Sequence, residues 1–204
     1  MLNIQQLTYY IPAILIALTI HEFSHGFVAH LLGDPTPKNQ GRLTLNPLAH
    51  LDPLGTLMLI VARFGWAKPV QINPYNFRGN RQFGLLLVSL AGPVSNIVVA
   101  LVGGILYNLV DVYSYVWYLA VASLTINVYL ALFNLLPIPP LDGSKILLGL
   151  LPSRLHEYVY KLEGYGPFIL IILIVSNITG KVLVPVAQVI IMAIVQIGAL
   201  ITGV

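Results

Sequence analysis

Cysteine is absent from this 204-residue chain, which excludes both disulfide staples and thiolate metal sites. Charge is scarce as well. Only 8% of the residues are Asp, Glu, Lys or Arg, against about 25% in an ordinary soluble domain. Residues 82–110, 112–141 and 182–204 carry no charge at all, and each run exceeds the roughly 20 apolar residues that cross a bilayer as a helix. With 57% hydrophobic residues, the composition excludes a water-soluble globule and predicts an integral membrane protein. Helices are expected, because they satisfy their own backbone groups in lipid.

Two further absences narrow the reading. The first twenty residues contain no Lys or Arg, and no small-residue cleavage site ends the apolar run before His21, so a signal peptide is disfavoured. The net charge is only +3 and the basic residues lie beside hydrophobic segments. That pattern suits membrane orientation and argues against nucleic-acid binding. No solenoid repeat or low-complexity tract is present.

The pattern along the chain predicts one membrane-embedded domain over 1–204, with candidate spans at 9–31, 83–110, 114–136, 164–180 and 182–203. Residues 33–82 are rich in Pro, Asn and Gly. Within them "RLTLN" and "KPVQIN" read as short strands bounded by turn residues. "LGTLMLIVA" (54–62) is too short to span and reads as a re-entrant or interfacial piece. Residues 143–163 form a second connection, whose "LPSRLHEYVYKLEG" reads as a helix lying along the membrane surface. The expected fold class is thus an all-α polytopic membrane protein with about five transmembrane helices and a small strand-containing, re-entrant region. Nine of the ten Lys and Arg residues fall in these two connections. Both should face the cytoplasm, with the N-terminus outside; five spans then leave the C-terminus inside.

Within the first apolar run stands "HEFSH", residues 21–25. On a helix His21 and His25 lie one turn apart on one face. Two imidazoles so placed can bind one zinc ion, and Glu22 sits where it can act on water beside the metal. Ionisable groups in a span are costly and need a ligand, a partner or a wet cavity. A hydrolytic zinc site usually takes three protein ligands. His30 lies about 140° around the helix from His25 and is poorly placed; His156 sits in the surface segment. His50 and Asp52, in "NPLAHLDPLG", are open alternatives. Asp142 is the strongest candidate, because it follows the proline-broken "NLLPIPP" at the cytoplasmic end of a span. The competing reading of Asp142 is a helix N-cap. His25 lies about 9 Å inside the end of the first span, on the side where Asp142 is also expected.

Together "HEFSH", "NPLAHLDPLGTL", "GWAKPVQINP", "SLAGPVSN" and "NLLPIPPLDG" resemble the site-2 protease family of intramembrane zinc metalloproteases, in its small bacterial and archaeal form. The resemblance runs from His21 to Gly143, and it departs from larger members in lacking a PDZ insertion and a regulatory domain. It implies one Zn2+ held by His21, His25 and Asp142, with Glu22 as catalytic acid/base. It also implies cleavage of transmembrane protein or peptide substrates near the cytoplasmic face. It suggests Asn96 as an oxyanion or substrate-backbone contact, beside a helix loosened by Gly92 and Pro93; the other reading of Asn96 is a bridge between helices. His50 and Asp52 are expected to support the metal site from behind or to constrain a turn. The alternative function is a membrane zinc-binding or metal-transport protein, since ionisable residues in spans also mark ion pathways.

Overall fold

The computed structural model describes residues 4–62 and 65–203. In chain order the helices are α1 (Ile4–Leu31), α2 (Thr36–Asn39), α3 (Pro53–Ala62), α4 (Arg81–Leu109), α5 (Tyr115–Asn134), α6 (Asp142–Leu150), α7 (His156–Glu163), α8 (Gly166–Val175) and α9 (Ile178–Thr202). Local chemistry sets several starts. Asn80 accepts the Phe83 N–H at 3.0 Å to open α4, and Ser114 accepts the Trp117 N–H at 3.1 Å to open α5. Each cap satisfies a donor that a helix start leaves unpaired.

Four helices, α1, α4, α5 and α9, are long and apolar enough to cross a bilayer. Helix α4 is the hub, packing against α1, α5, α6 and α9. Lipid supplies no hydrophobic drive for helices to associate, so close backbone approach and interhelical hydrogen bonds hold such a bundle. Glycine provides the approach: a Cβ on Gly104 would lie 2.5 Å from Ile194 Cγ2, and one on Gly198 would lie 2.5 Å from the Gly104 carbonyl. Beside them Asn108 donates to Gly104 O at 2.8 Å and across to Val195 O at 3.1 Å. Such a crossing bond contributes about 0.6 kcal/mol, and at most about 1.7 kcal/mol. Ala100, Leu124, Val128, Ala187 and Ile194 fill the core between these helices.

These contacts also fix direction. From Ala100 to Asn108 along α4, the partners on α9 run from Ala187 to Gly198, so the two helices are parallel. At the same end Tyr9 of α1 stacks on Tyr118 of α5 with ring centroids 5.2 Å apart, and Tyr115 donates to Thr8 O at 3.0 Å. The start of α1 and the finish of α9 therefore share one end of the bundle. Tyr107, Tyr113 and Trp117 ring that end, as aromatic residues do at a membrane interface.

Four of the five expected spans are single helices long enough to cross, and a fifth would need the bent pair Ser153–Glu163 and Gly166–Val175. Segment 164–180 yields α8, ten residues long; its length of about 15 Å is half the hydrocarbon thickness of about 30 Å. It bends by 65° from the charged segment Ser153–Glu163. A fifth crossing would also have made α9 antiparallel to α4. The finish of α9 consequently lies at the same end as the start of α1.

The expected strands are corrected as well. Among the described residues no β-strand forms; "RLTLN" and "KPVQIN" are irregular, and Leu51 and Ala67 make an isolated antiparallel bridge. The reason is visible along 68–73, where side chains take the bonds that a neighbouring strand would supply. Arg42 bonds Lys68 O, Glu22 takes the Val70 N–H and Asp34 takes the Asn73 N–H. Residues 54–62 fall within a helix too short to cross a bilayer. Helix α3 is ten residues long, and the chain is back beside it at Trp66, whose carbonyl a Cβ on Gly55 would meet at 2.2 Å. Arg63, one of the basic residues that set the expected orientation, lies outside the described residues.

Candidate active site

His21 and His25 are buried in α1, 4% and 6% exposed, with ring centroids 4.6 Å apart. Asp142, 117 residues downstream of His25, is the first residue of α6 and is 8% exposed. Gly143 lets α6 begin directly beneath the end of α5, since a Cβ there would lie 2.2 Å from Leu136 O. Asp142 Oδ2 is 3.1 Å from Nε2 of His21 and 3.1 Å from Nε2 of His25. The two Nε2 atoms are themselves 3.1 Å apart. The Asp142 carboxylate thus points at the histidines rather than capping a helix. Among the described residues, His21, His25 and Asp142 form the group of three able to hold a metal ion.

Hydrogen bonds behind the rings decide what these atoms can bind. Asn96 Nδ2 donates to Ala17 O at 3.1 Å and to Asn127 Oδ1 at 2.7 Å, which fixes the orientation of its amide. Asn96 Oδ1 therefore faces His21 Nδ1, at 2.6 Å, and that nitrogen carries the proton. His25 Nδ1 lies 2.7 Å from the carbonyl of Val88, an acceptor only, so it too is protonated. Both neutral rings then turn a bare Nε2 toward one point, where a carboxylate oxygen also arrives. Three electron pairs converging at 3.1 Å require a cation between them. The edge of a tetrahedron with Zn–N of 2.0–2.1 Å is about 3.3 Å, so the donor set and its spacing fit zinc.

Gly92 completes this pocket. A Cβ there would lie 2.4 Å from His25 Nε2 and 2.6 Å from His21 Cε1. The expectation that Gly92 and Pro93 loosen the helix gives way to a different role, because α4 runs unbroken from Arg81 to Leu109. Gly92 is the place where α4 comes close enough to cover both imidazoles.

The remaining candidate residues fall into distinct places. Glu22, beside the ligands, accepts the Val70 N–H on Oε2 at 2.9 Å. Asn96 is fully buried behind the histidines with its amide engaged on three sides; it bridges α1, α4 and α5. His50 is fully buried in the connecting region, with Nε2 donating to Thr44 O at 2.8 Å and Nδ1 facing Arg42 Nη2 at 3.4 Å. Asp52 accepts the Gly55 N–H at 2.8 Å and opens α3, a turn constraint. His156, the first residue of α7, bonds Leu151 O at 3.0 Å.

Sequence reasoning missed four participants. Asn127 props Asn96, and its polar amide in the apolar run "SLTINVYL" was the available signal. The Val88 carbonyl leaves no trace in a side-chain pattern. Arg42 was read only as topogenic charge, yet it is 4% exposed and sits near Glu22, whose negative charge opposes the downward pull of burial on the guanidinium pKa. Asp34, fully buried, binds the end of α1 to the connecting region through Asn76, Thr36 and Asn73. Burial pushes its carboxyl pKa up, but the bonds from Asn76, Thr36 and the Asn73 and Thr36 amides outweigh that and hold it below the ordinary 3.8.

Comparison with known proteins agrees with this geometry. The profile of "Peptidase family M50" matches residues 109–176, a stretch that includes Asp142. The chain is 40% identical over 186 residues to "Putative zinc metalloprotease YwhC" of Bacillus subtilis, covering 87% of this chain and 84% of that protein. It is 33% identical over 170 residues to the Mycolicibacterium smegmatis protein named "Putative zinc metalloprotease Rip2", covering 79% of this chain and 64% of the relative. A 60-residue stretch is 42% identical to "Putative zinc metalloprotease MJ0611" of Methanocaldococcus jannaschii, covering 29% of this chain and 31% of that protein. No solved structure matches. A buried His–His–Asp cluster inside a membrane bundle, together with a relative matched over most of both lengths, places the chain in peptidase family M50, the zinc metalloproteases of site-2 type.

Proposed function

We propose that this intramembrane zinc metalloprotease hydrolyses peptide bonds of transmembrane substrates close to the cytoplasmic face, with Glu22 as the catalytic acid/base. The observation that carries the reading is the convergence of His21 Nε2, His25 Nε2 and Asp142 Oδ2 within a membrane helix bundle, with a glutamate on the adjoining residue. The chemistry that zinc supplies when held there is Lewis acidity, which polarises a peptide carbonyl and acidifies water.

The protein's own groups do the rest. Val70 holds Oε2 of Glu22, leaving the other oxygen to take a proton from the attacking water and deliver it to the leaving amine. No covalent acyl-enzyme is required. Asn96, propped by Asn127, keeps His21 in the tautomer that binds metal, and the Val88 carbonyl does the same for His25. His25 lies about 9 Å from the end of α1, a depth that water reaches more easily than the midplane.

Orientation follows from charge. With α9 parallel to α4, Lys181 at the start of α9 joins the end of the bundle that holds Arg81 at the start of α4. All nine Lys and Arg among the described residues then belong to the connections at one face, which supports a cytoplasmic active site with both termini outside.

The decisive experiment uses the purified protein in proteoliposomes with a transmembrane peptide. Glu22→Gln should abolish hydrolysis while bound zinc stays near one per chain. Zinc flux without peptide cleavage in the wild type would instead establish the transport alternative.

A further inference from the structure

Arg42 has a fully formed set of contacts that the metal site itself does not explain. Its guanidinium is buried. Nη2 bonds Lys68 O, and Nη1 reaches Pro69 O at 3.5 Å. His50 backs it: its bare Nδ1 faces Nη2 at 3.4 Å, while its own carbonyl accepts the Lys68 N–H at 2.9 Å. Arg42 and His50 therefore grip the backbone of 68–69 from both sides. The next backbone donor is the Val70 N–H, which holds Glu22 at 2.9 Å. Farther along, Asp34 pins the Asn73 N–H at 2.7 Å. Among the described residues the segment has no strand neighbour, so these contacts, with the Leu51–Ala67 bridge and the Gln40–Gln71 bond on either side, fix where the Val70 amide stands.

Burying this cation is expensive, and Arg42 Nε has no hydrogen-bond partner; a buried polar group left unpaired in a native fold calls for an explanation. The nearest exposed alternative, a solvated lysine, would have oriented the membrane segment equally well. A planar fork that bonds two successive carbonyls does what a lysine cannot.

We infer that Arg42, seated on His50, is a positioning residue for hydrolysis: it fixes the Lys68–Val70 backbone so that the Val70 N–H holds the Glu22 carboxylate in its working position. This rests on the peptidase reading. It also gives the buried His50 of "NPLAHLDPLG" a role as the seat of the guanidinium.

The test is a double-mutant cycle on the full-length protein, with kcat, KM and bound zinc measured for each form. Val70→Pro deletes the N–H that holds Glu22, and Arg42→Gln releases the segment. Each should lower kcat by about 10–100-fold, the range for residues that orient a reactive group from behind, with KM changed less than about threefold and zinc retained. The double variant should be no slower than the slower single one, because both changes remove the same bond. Arg42→Lys, which keeps the charge but not the fork, should remain slow. Lys38→Gln, which removes a cation of α2 outside the network, should match the wild type.

A spin label gives a readout independent of turnover. The chain has no cysteine, so Gln71→Cys is a unique attachment point on the segment. Its spectrum should sharpen toward a mobile line shape when Arg42→Gln is added. Multiplicative losses in the double variant, full activity in Arg42→Gln or Arg42→Lys, or an unchanged spectrum would overturn the inference. Should Arg42→Gln fail to fold, the Arg42→Lys and Val70→Pro pair carries the same cycle. A wild type that cleaves nothing refutes the peptidase reading instead, so the two failures are distinct.

Discussion

The Gly92→Ala substitution isolates how closely α4 must approach the metal ligands. An alanine Cβ would stand 2.4 Å from His25 Nε2, 2.6 Å from His21 Cε1 and 2.7 Å from His25 Cε1. Ordinary van der Waals contact begins near 3.4 Å, so helix and imidazole must part by about 1 Å. Neither can do so freely. His25 is tied at 2.7 Å to Val88, one turn earlier on the same helix, so moving α4 away pulls the ring's own anchor with it. Rotating the ring breaks that bond and misaims Nε2. Metal sites tolerate about 0.2 Å in ligand distance, and a 1 Å misplacement costs roughly 100-fold in rate.

One added methyl should therefore lower zinc affinity and peptide hydrolysis by at least about 100-fold. The overpacking itself costs only about 1–3 kcal/mol of stability, so the bundle should still assemble. Zinc content by elemental analysis after dialysis against a graded chelator, hydrolysis of a transmembrane peptide and gel filtration in detergent separate these effects. Gly92→Ala with full zinc and activity within threefold of wild type would refute the reasoning. It would mean that α4 can withdraw without disturbing the histidines.

Other expectations follow from the same geometry. Asp142→Asn replaces a carboxylate with a neutral amide of similar size; zinc should be lost from the purified protein along with activity, whereas a mere cap would be indifferent because Asn caps about as well as Asp. Asn96→Leu removes the acceptor on His21 Nδ1 and the bridge to Asn127. Zinc affinity should fall by about 10–100-fold, read by competition with a chromogenic chelator. Single cysteines at Ser114 and Thr202 should both react with an impermeant thiol reagent in intact cells, and those at Asn39 and Ser153 should not; opposite labelling of Ser114 and Thr202 would restore a fifth span. The depressed pKa of Asp34 contributes stability above its ordinary value of 3.8 that is lost as pH falls through the lower folded value. Thermal unfolding in detergent should show an acid limb below pH 3.8, weakened in Asp34→Ser.

The sequence by itself determined whatever is local or additive. Uncharged runs long enough to cross a bilayer fix α4, α5 and α9, because lipid penalises each unpaired charge wherever it falls. The i, i+4 spacing of His21 and His25 fixes a shared helical face, since 3.6 residues per turn is a property of the backbone alone. Tertiary structure decided whatever needed two distant segments in one frame. Asp142 was a reasonable ligand from its proline-broken helix, but only packing brings its Oδ2 within 3.1 Å of both histidines. The alternating "KPVQIN" has the strand pattern, yet Arg42, Glu22 and Asp34 take bonds that a second strand would have supplied. Composition made 164–180 look like one span, and the fold divides it, with the ten-residue α8 bent by 65° from the segment before it. Hydrophobicity records which residues avoid water, but it carries no direction and no partner; those come from contacts between residues far apart in the chain.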